Sequence, residues 1–314
     1  MAIYDINGNQ LQAVFDIEGN SLQYAYDIEG NQIFGGEPVG TTLKVMTYNV
    51  QKFLGINNQQ TMQRVIIDLY GADIIGMQEL GSVTTLGTVG AYMLENYSVK
   101  QLSNHVNKIM MVTDGITLNN LVIADFTHQD PQDISQYNET RAYMKADITV
   151  GGKTVTWINT HLCYLTKSVM YEQMAEVFAM AEQCDYVIIT GDFNSGVTGL
   201  EENDYIYMYK QFVDAGYNLA NNSPTAGFTN TYAYLTNPTS LADLQTAPDS
   251  IIVSGNIDID EVVFDTTKFS YLNGSVIDHI PVIATLSIGG GSSQPGNISL
   301  DPVYGTNPPP YEEI

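Results

Sequence analysis

The chain has 314 residues, 44% of them hydrophobic and 15% charged, with 35 acids against 11 bases for a net charge of −24. This is a globular composition, long enough for one large domain with additions or for two domains, and it excludes a disordered chain. A general polyanion binder would be basic, so a nucleic-acid ligand would need a local basic patch, divalent cations, or both. The apolar runs are short, such as "YVIIT" and "SIIVSG", and none approaches the roughly 18 residues of a membrane span. The N-terminus "MAIYDINGNQ" has no basic region and no apolar h-region, so it does not read as a signal peptide; a virion-associated and a cytoplasmic location both stay open. Cys163 and Cys184 are the only cysteines. They lack metal-site spacing and read as two buried free thiols.

Residues 1–36 repeat with a period of 11: "YDINGNQLQAV", "FDIEGNSLQYA" and "YDIEGNQIFGG". Asp5, Asp16 and Asp27 coincide, as do Gly8, Gly19 and Gly30. Each unit reads as short strand, Gly-Asn turn, short strand. A unit this small cannot bury its own apolar face, so it is expected to stack on its neighbours, on the main domain or on another chain. The units resemble short repeats at the N-termini of phage tail or baseplate appendage proteins. That resemblance implies attachment to a virion tail assembly through residues 1–36; stacking on another copy of the chain would instead make a homo-oligomer.

Residues 37–42 read as a linker. "LKVMTYNV" follows as a strand, "NQQTMQRVIIDLYG" (58–71) as a helix with Met62, Val65, Ile66 and Leu69 on one face, and "ADIIGMQEL" as a buried strand. "KIMMVTD", "TLNNLVIADF", "RAYMKADITV" and "KTVTWINTHL" are β-rich. "KSVMYEQMAEVFAMAEQ" has a helical period, and "DYVIITGDFN" reads as a buried strand. A helix at 204–215, an irregular Asn/Thr/Tyr-rich region and strands at "DSIIVSG", "IDEVVF" and "PVIATLSI" complete the domain. Strands outnumber helices and the helices are dispersed, which fits two packed mixed sheets with helices outside. Residues 289–314 form a Gly/Ser/Pro-rich tail, whose Pro308-Pro309-Pro310-Tyr311 reads as a polyproline strap or disordered end.

Polar residues recur at the tips of the apolar strands: Asn49, Glu79, His161 and Asp192 with Asn194 where strands end, Asp249 where one starts, and Asp278 with His279 just before the last. Each alone reads as a cap, turn or surface residue. Together they matter, because loops at one sheet end are where active sites collect. Asp192 and Asn194, two residues apart, are expected to point to the same side of their strand. Asn, Glu and Asp offer oxygens, which suit Mg²⁺, Mn²⁺ or Ca²⁺ rather than zinc. Two histidines without a Ser or Cys nucleophile elbow suggest acid/base help beside a metal-activated water.

The ordered set "TYNVQ", "MQEL", "NTHL", "TGDFNS", "PDSIIVS" and "IDHIPV" resembles the endonuclease/exonuclease/phosphatase superfamily, the DNase I-like fold, over residues 43–288. The resemblance implies an α/β (α+β) four-layer sandwich, two mixed β-sheets face to face and flanked by helices. It implies a metal-dependent phosphoesterase with Asn49, Glu79 and Asp278 at the metal. Asp192 and Asn194 would position or deprotonate the attacking water. His279, oriented by Asp249, and His161 would face the phosphate, and Arg141 of "ETRAYMKADI" would support the phosphate site. "GDFNSG" and "APDSIIV" depart from the inositol-polyphosphate phosphatase pattern; His161 and Gln51 depart from the abasic-site endonuclease pattern. "GFTNTY" (227–232) is similar to a segment of nuclease members. A DNase I-like nuclease acting on DNA is therefore the favoured expectation. A sphingomyelinase-like or other lipid or small-molecule phosphodiesterase or phosphatase is the alternative, and a non-catalytic structural or adhesion role the third.

Overall fold

A computed structural model describes residues 14–15, 21–22, 25–26, 32–34, 41–49, 71–79, 97–101, 109–113, 116–132, 134–135, 140–194, 204–223, 227–228, 231, 247–264 and 279–289. Residues 58–70 of the helix expected at 58–71, most of the Asn/Thr/Tyr-rich region, Asp278 and the C-terminal tail lie outside these residues. In the repeat region, β1 (Val14–Phe15) pairs with β2 (Ser21–Leu22), and β3 (Ala25–Tyr26) pairs with β4 (Gln32–Phe34), both antiparallel.

The remaining strands, in chain order, are β5 (Thr41–Asn49), β6 (Ile74–Gln78), β7 (Tyr97–Gln101), β8 (Ile109–Thr113), β9 (Asn119–Asp125), β10 (Ala142–Val150), β11 (Lys153–His161) and β12 (Val187–Asp192), then β13 (Asn218–Leu219), β14 (Asn222–Ser223), β15 (Gly227–Phe228), β16 (Asp249–Val253), β17 (Ile257–Phe264) and β18 (Val282–Ile288). The helices are α1 (Lys167–Ala181) and α2 (Asp204–Asp214). Two six-stranded mixed sheets form, in the orders β17-β18-β5-β6-β8-β7 and β13-β16-β12-β11-β10-β9. They repeat one plan. Each has a parallel central pair, β5 with β6 and β11 with β12, flanked by antiparallel strands. β5 begins at Thr41, inside the stretch read as a linker, and β7 was not anticipated from the sequence.

The alternating strands put one residue in two between the sheets. Leu43, Val45, Ile74, Trp157, Ile188, Ile251, Val253, Val282 and Ala284 fill that space. The opposite face of the second sheet, with Ile158, Val187, Ile189 and Ile252, packs on Met170, Met174 and Val177 of α1 and on Tyr209 and Phe212 of α2. The spacing of 170, 174, 177 and 181 is a helical stripe, which is why α1 buries one side. This is the expected sandwich of two mixed sheets with helices outside.

Along the inward positions of the central strands the chemistry changes in steps. Val45, Ile74, Trp157 and Ile188 are apolar; one step further stand Thr47, Gly76, Asn159 and Thr190; then Asn49, Gln78, His161 and Asp192. The middle step is a buried polar network spanning both sheets. Gln78 Nε2 donates to Asn159 Oδ1 (2.7 Å) and Thr47 Oγ1 (3.2 Å). Thr190 Oγ1 donates to Asn159 Oδ1 (3.1 Å) and accepts from Trp157 Nε1 (2.9 Å). Burying a large apolar side chain contributes about 2 kcal/mol, and a neutral hydrogen bond about 1 kcal/mol net. The apolar layer therefore supplies the stability, and the polar layer sets the register of one sheet against the other. Gly76 permits the close approach: a Cβ there would lie 2.2 Å from Thr190 Oγ1 and 2.6 Å from Asn159 Oδ1.

Candidate active site

Because both central pairs are parallel, their carboxyl ends deliver side chains in matched register. Asn49 pairs with Gln78, and His161 with Asp192. Antiparallel β16 places Asp249 opposite Asp192, and His279 lies just ahead of β18, whose Val282 is opposite Thr47. The structure thus brings together Asn49, Glu79, Arg141, His161, Asp192, Asn194, Asp249 and His279.

Asp192 Oδ2 is the focus of the group. It accepts from Asn49 Nδ2 at 2.7 Å and lies 3.5 Å from His161 Nε2 and 3.8 Å from His279 Nε2. Asn49 Nδ2 also reaches Glu79 Oε1 at 3.4 Å, and His161 Nε2 is 3.9 Å from the same oxygen. His279 is set by its other nitrogen, Nδ1, 2.8 Å from Asp249 Oδ2. Arg141 stands behind His161, its NH1 3.1 Å from Nδ1. Asn49, Arg141, His161, Asp192, Asn194, Asp249 and His279 are all buried.

Asn194 is joined to Asp192 by a turn rather than by the period of the strand. β12 closes at Asp192, and Asn194 takes a left-handed φ of 51°. Its backbone N–H returns to Asp192 Oδ1 (2.8 Å), and its Nδ2 donates to Leu162 O (2.8 Å), a turn of the kind Asp and Asn side chains stabilise. Glu79, one residue past β6, has a φ of 55°. A non-glycine residue in this region is uncommon, and for Glu the cost is about 1–2 kcal/mol. Such strain persists where surrounding structure over-determines it.

Burial pushes the Glu79 carboxyl above its usual range, and Asp192 adds to this; His279, the Asn49 hydrogen bond and Arg141 oppose it. Burial likewise pushes Asp249 up to about 6, against the pull of His279. Crowding several carboxylates in a low-dielectric pocket disfavours their charged forms, and a cation among them would reverse that preference. Asp192, Asp249 and His279 can each bring one ligand atom within 4.8 Å of the others. Within that set, Asp249 Oδ2 and His279 Nδ1 bond to each other, so this side presents an imidazole Nε2. The side of Asn49, Glu79 and Asp192 is built from carboxylate and carboxamide, the donor chemistry of a hard divalent cation. The donor set therefore fits such an ion.

Several residues that hold this geometry were not singled out from the sequence. Thr231 Oγ1 donates to Asp249 Oδ2 (2.8 Å) and accepts from Asp249 N (3.2 Å), while Thr231 O accepts from Ile280 N (2.9 Å). One threonine thus ties Asp249 to the segment carrying His279. Tyr209 of α2 donates from its hydroxyl to Ala247 O (3.0 Å) just before Asp249. Gln173 of α1 accepts from Cys163 N (2.7 Å) and donates to His128 O (2.8 Å), gripping the chain just past His161. Thr231, Gln78 and Asn159 all fall inside the quoted motifs, which was their only sequence signal. Cys163 is buried, whereas Cys184 is only partly so, and neither is in a disulfide.

The described architecture is the DNase I-like, endonuclease/exonuclease/phosphatase fold. No family model matches the chain, and no curated protein matches it. Solved structures do. An endonuclease/exonuclease/phosphatase from Bacteroides vulgatus superposes with a TM-score of 0.60 at 16% identity, covering 79% of this chain and 99% of that one. TDP2 of D. rerio, solved with a single-strand DNA product, gives 0.57 at 14% identity, covering 78% and 99%. A mannosyl-6-phosphatase from Bacteroides thetaiotaomicron gives 0.57 at 15% identity, covering 78% and 100%. At these identities the likeness is one of fold.

Proposed function

We propose that the protein is a divalent-metal-dependent phosphodiester hydrolase, with a DNase I-like nuclease as its most specific form. The observation that carries this is the meeting of two imidazole Nε2 atoms at one carboxylate oxygen, Asp192 Oδ2, with Asn49 and Glu79 alongside. Glu79 and Asn49, with Asp192 beside them, would hold the cation, which supplies positive charge against the charge that builds on the phosphoryl oxygens. Mg²⁺ or Mn²⁺ suits this donor set, with Ca²⁺ a further candidate. Asp192 accepts the proton of the attacking water, its orientation held by Asn49 Nδ2 and Asn194 N. The oxygen of that water forms the new bond to phosphorus as the ester bond breaks, and the departing oxygen carries off the bonding pair and takes up a proton from solvent to leave as the alcohol. His161 and His279 face the phosphoryl oxygens through Nε2, and Asp249 fixes the ring of His279. Asp278 is assigned to the metal side by motif alone.

DNA is favoured by the "GFTNTY" segment, whose Thr231 is built into the site, and by the likeness to TDP2 solved with a DNA product. The net charge of −24 and the likeness to a mannosyl-6-phosphatase favour the second reading, a small-molecule or lipid phosphoesterase. One experiment separates them: plasmid and single-stranded DNA, sphingomyelin, phosphoinositides and sugar phosphates, each with Mg²⁺, Mn²⁺, Ca²⁺ or chelator. Cation-dependent nicking that is lost in His279→Ala supports the nuclease. Intact plasmid at high enzyme with Mg²⁺ and Mn²⁺ removes it, and turnover of a lipid or sugar phosphate in its place selects the second reading.

For residues 1–36 we propose attachment, to a virion-type assembly or to a second copy of the chain. The repeat and its two antiparallel strand pairs support this. Light scattering on the full chain and on a chain starting at Glu37 tests self-association, and equal protomer counts would remove it.

A further inference from the structure

The two histidines meet the same carboxylate oxygen with the same nitrogen, Nε2, but their Nδ1 atoms face partners of opposite chemistry. Behind His279 is Asp249, an acceptor when ionised; its Oδ2, 2.8 Å from Nδ1, also takes the Thr231 hydroxyl. This requires N–H at His279 Nδ1. Behind His161 is Arg141, whose NH1 lies 3.1 Å from Nδ1. A guanidinium offers only donors and does not lose its proton in proteins. His161 Nδ1 must therefore accept, and the ring proton must sit on Nε2.

Arg141 is held for this task. It is 2% exposed. Its backbone N donates to Gln129 Oε1 (2.8 Å), and its carbonyl accepts from Gln129 Nε2 (2.6 Å) and Phe126 N (3.0 Å). The guanidinium carbon lies 5.5 Å from the centroid of the Tyr164 ring, a cation–π arrangement. The backbone is held at both its N–H and its carbonyl, and the head group contacts an aromatic ring and an imidazole.

We propose that Arg141 is a positioning residue that locks His161 in the Nε2–H tautomer, making this imidazole a fixed hydrogen-bond donor to the reacting group. His279, locked the other way round, presents an Nε2 without that constraint. The pair is then asymmetric by construction, although both rings occupy similar places around Asp192. The consequence for catalysis rests on the phosphoesterase reading; the tautomers do not.

The test is long-range ¹H–¹⁵N correlation NMR on the full chain labelled with ¹⁵N-histidine, at neutral pH and without metal. The chain has four histidines, so His161→Gln and His279→Gln assign the two site rings. The expected result is a protonated Nε2 and a bare Nδ1 for His161, with Nδ1 protonated in His279. A protonated Nδ1 on His161, whether as the other tautomer or as a doubly protonated ring, overturns the proposal. Arg141→Met should release His161 to a mixture of tautomers, and Arg141→Lys, which keeps a donor, should restore Nε2–H. If Arg141→Met does not fold, the wild-type spectrum decides alone. The expected tautomers with no phosphoester turned over would leave this inference standing and remove the functional reading; turnover with the wrong tautomer would do the reverse.

Discussion

Asn49 Nδ2 donates to Asp192 Oδ2 over 2.7 Å, joining residues 143 positions apart on different sheets. The bond closes the carboxyl end of the sandwich and leaves the carboxylate facing both imidazoles. Asp192→Asn keeps the shape and removes the charge. Its initial rate on the phosphoester identified by the substrate panel should fall by about 10²–10⁴-fold, the usual range for loss of an acid–base group. A variant retaining a tenth of the rate would take Asp192 out of the chemistry.

Glu79 holds a φ of 55° that suits Asn better than Glu. Its carboxyl is also opposed by burial and by Asp192. Glu79→Asn should therefore raise unfolding stability by about 1 kcal/mol while abolishing activity and shrinking the rise in melting temperature that Mn²⁺ gives the wild type. Denaturant titration, initial rates on the same phosphoester, and melting curves with and without Mn²⁺ check all three. An unchanged Mn²⁺ shift would place the cation elsewhere.

Gly76 lies at a close approach of the two sheets, where a Cβ would collide with Thr190 Oγ1 and Asn159 Oδ1. Gly76→Ala should cost about 1–3 kcal/mol as an overpacking change, and should lower activity too, since the sheets carry different halves of the site. Trp157 is the sole tryptophan and is fully buried beside this layer, so its fluorescence can follow urea unfolding. A neutral substitution would show that the polar layer yields freely.

His128 and Glu176 form a pair away from the site, Nδ1 to Oε1 at 2.8 Å. The Glu176 hydrogen bond raises His128 above its ordinary 6.5. Burial pushes Glu176 up, but hydrogen bonds from Thr127 and His128 outweigh it and hold the group below its ordinary 4.5. The histidine's contribution is complete below pH 6.5 and fades as pH rises through its raised folded value. The carboxylate's is complete above pH 4.5 and fades as pH falls through its lowered one. His128→Ala should thus lower the melting temperature more at a pH between 4.5 and 6.5 than in mildly alkaline buffer. An equal loss in both buffers would show that the charged pair contributes nothing.

Much of the sandwich was legible because strands advertise themselves by local pattern. Val45, Thr47 and Asn49, or Ile188, Thr190 and Asp192, alternate with outward residues in plain view, and α1 shows its stripe through Met170, Met174 and Val177. The end positions of Asn49, Glu79, His161, Asp192, Asp249 and His279 were legible for the same reason: a polar residue bounding an apolar run, at either end, is visible without knowing its neighbours.

What these residues do to each other was not visible. Arg141 precedes a strand in the sequence, but its contact with His161 Nδ1 depends on β10 and β11 pairing side by side. Asp249 acquires Thr231 and His279 as partners only because separate segments converge on it. The strand period alone puts Asn194 on the face of Asp192, whereas its left-handed backbone turns it toward Leu162 O. The sequence by itself determined the elements and the inventory of polar groups at their ends, since both depend on side-chain periods of two and 3.6 along one chain. The tertiary structure decided the sheet order, the tautomer partners and the crowding of carboxylates, because hydrogen bonds and charge interactions depend on distances through space that no local period encodes.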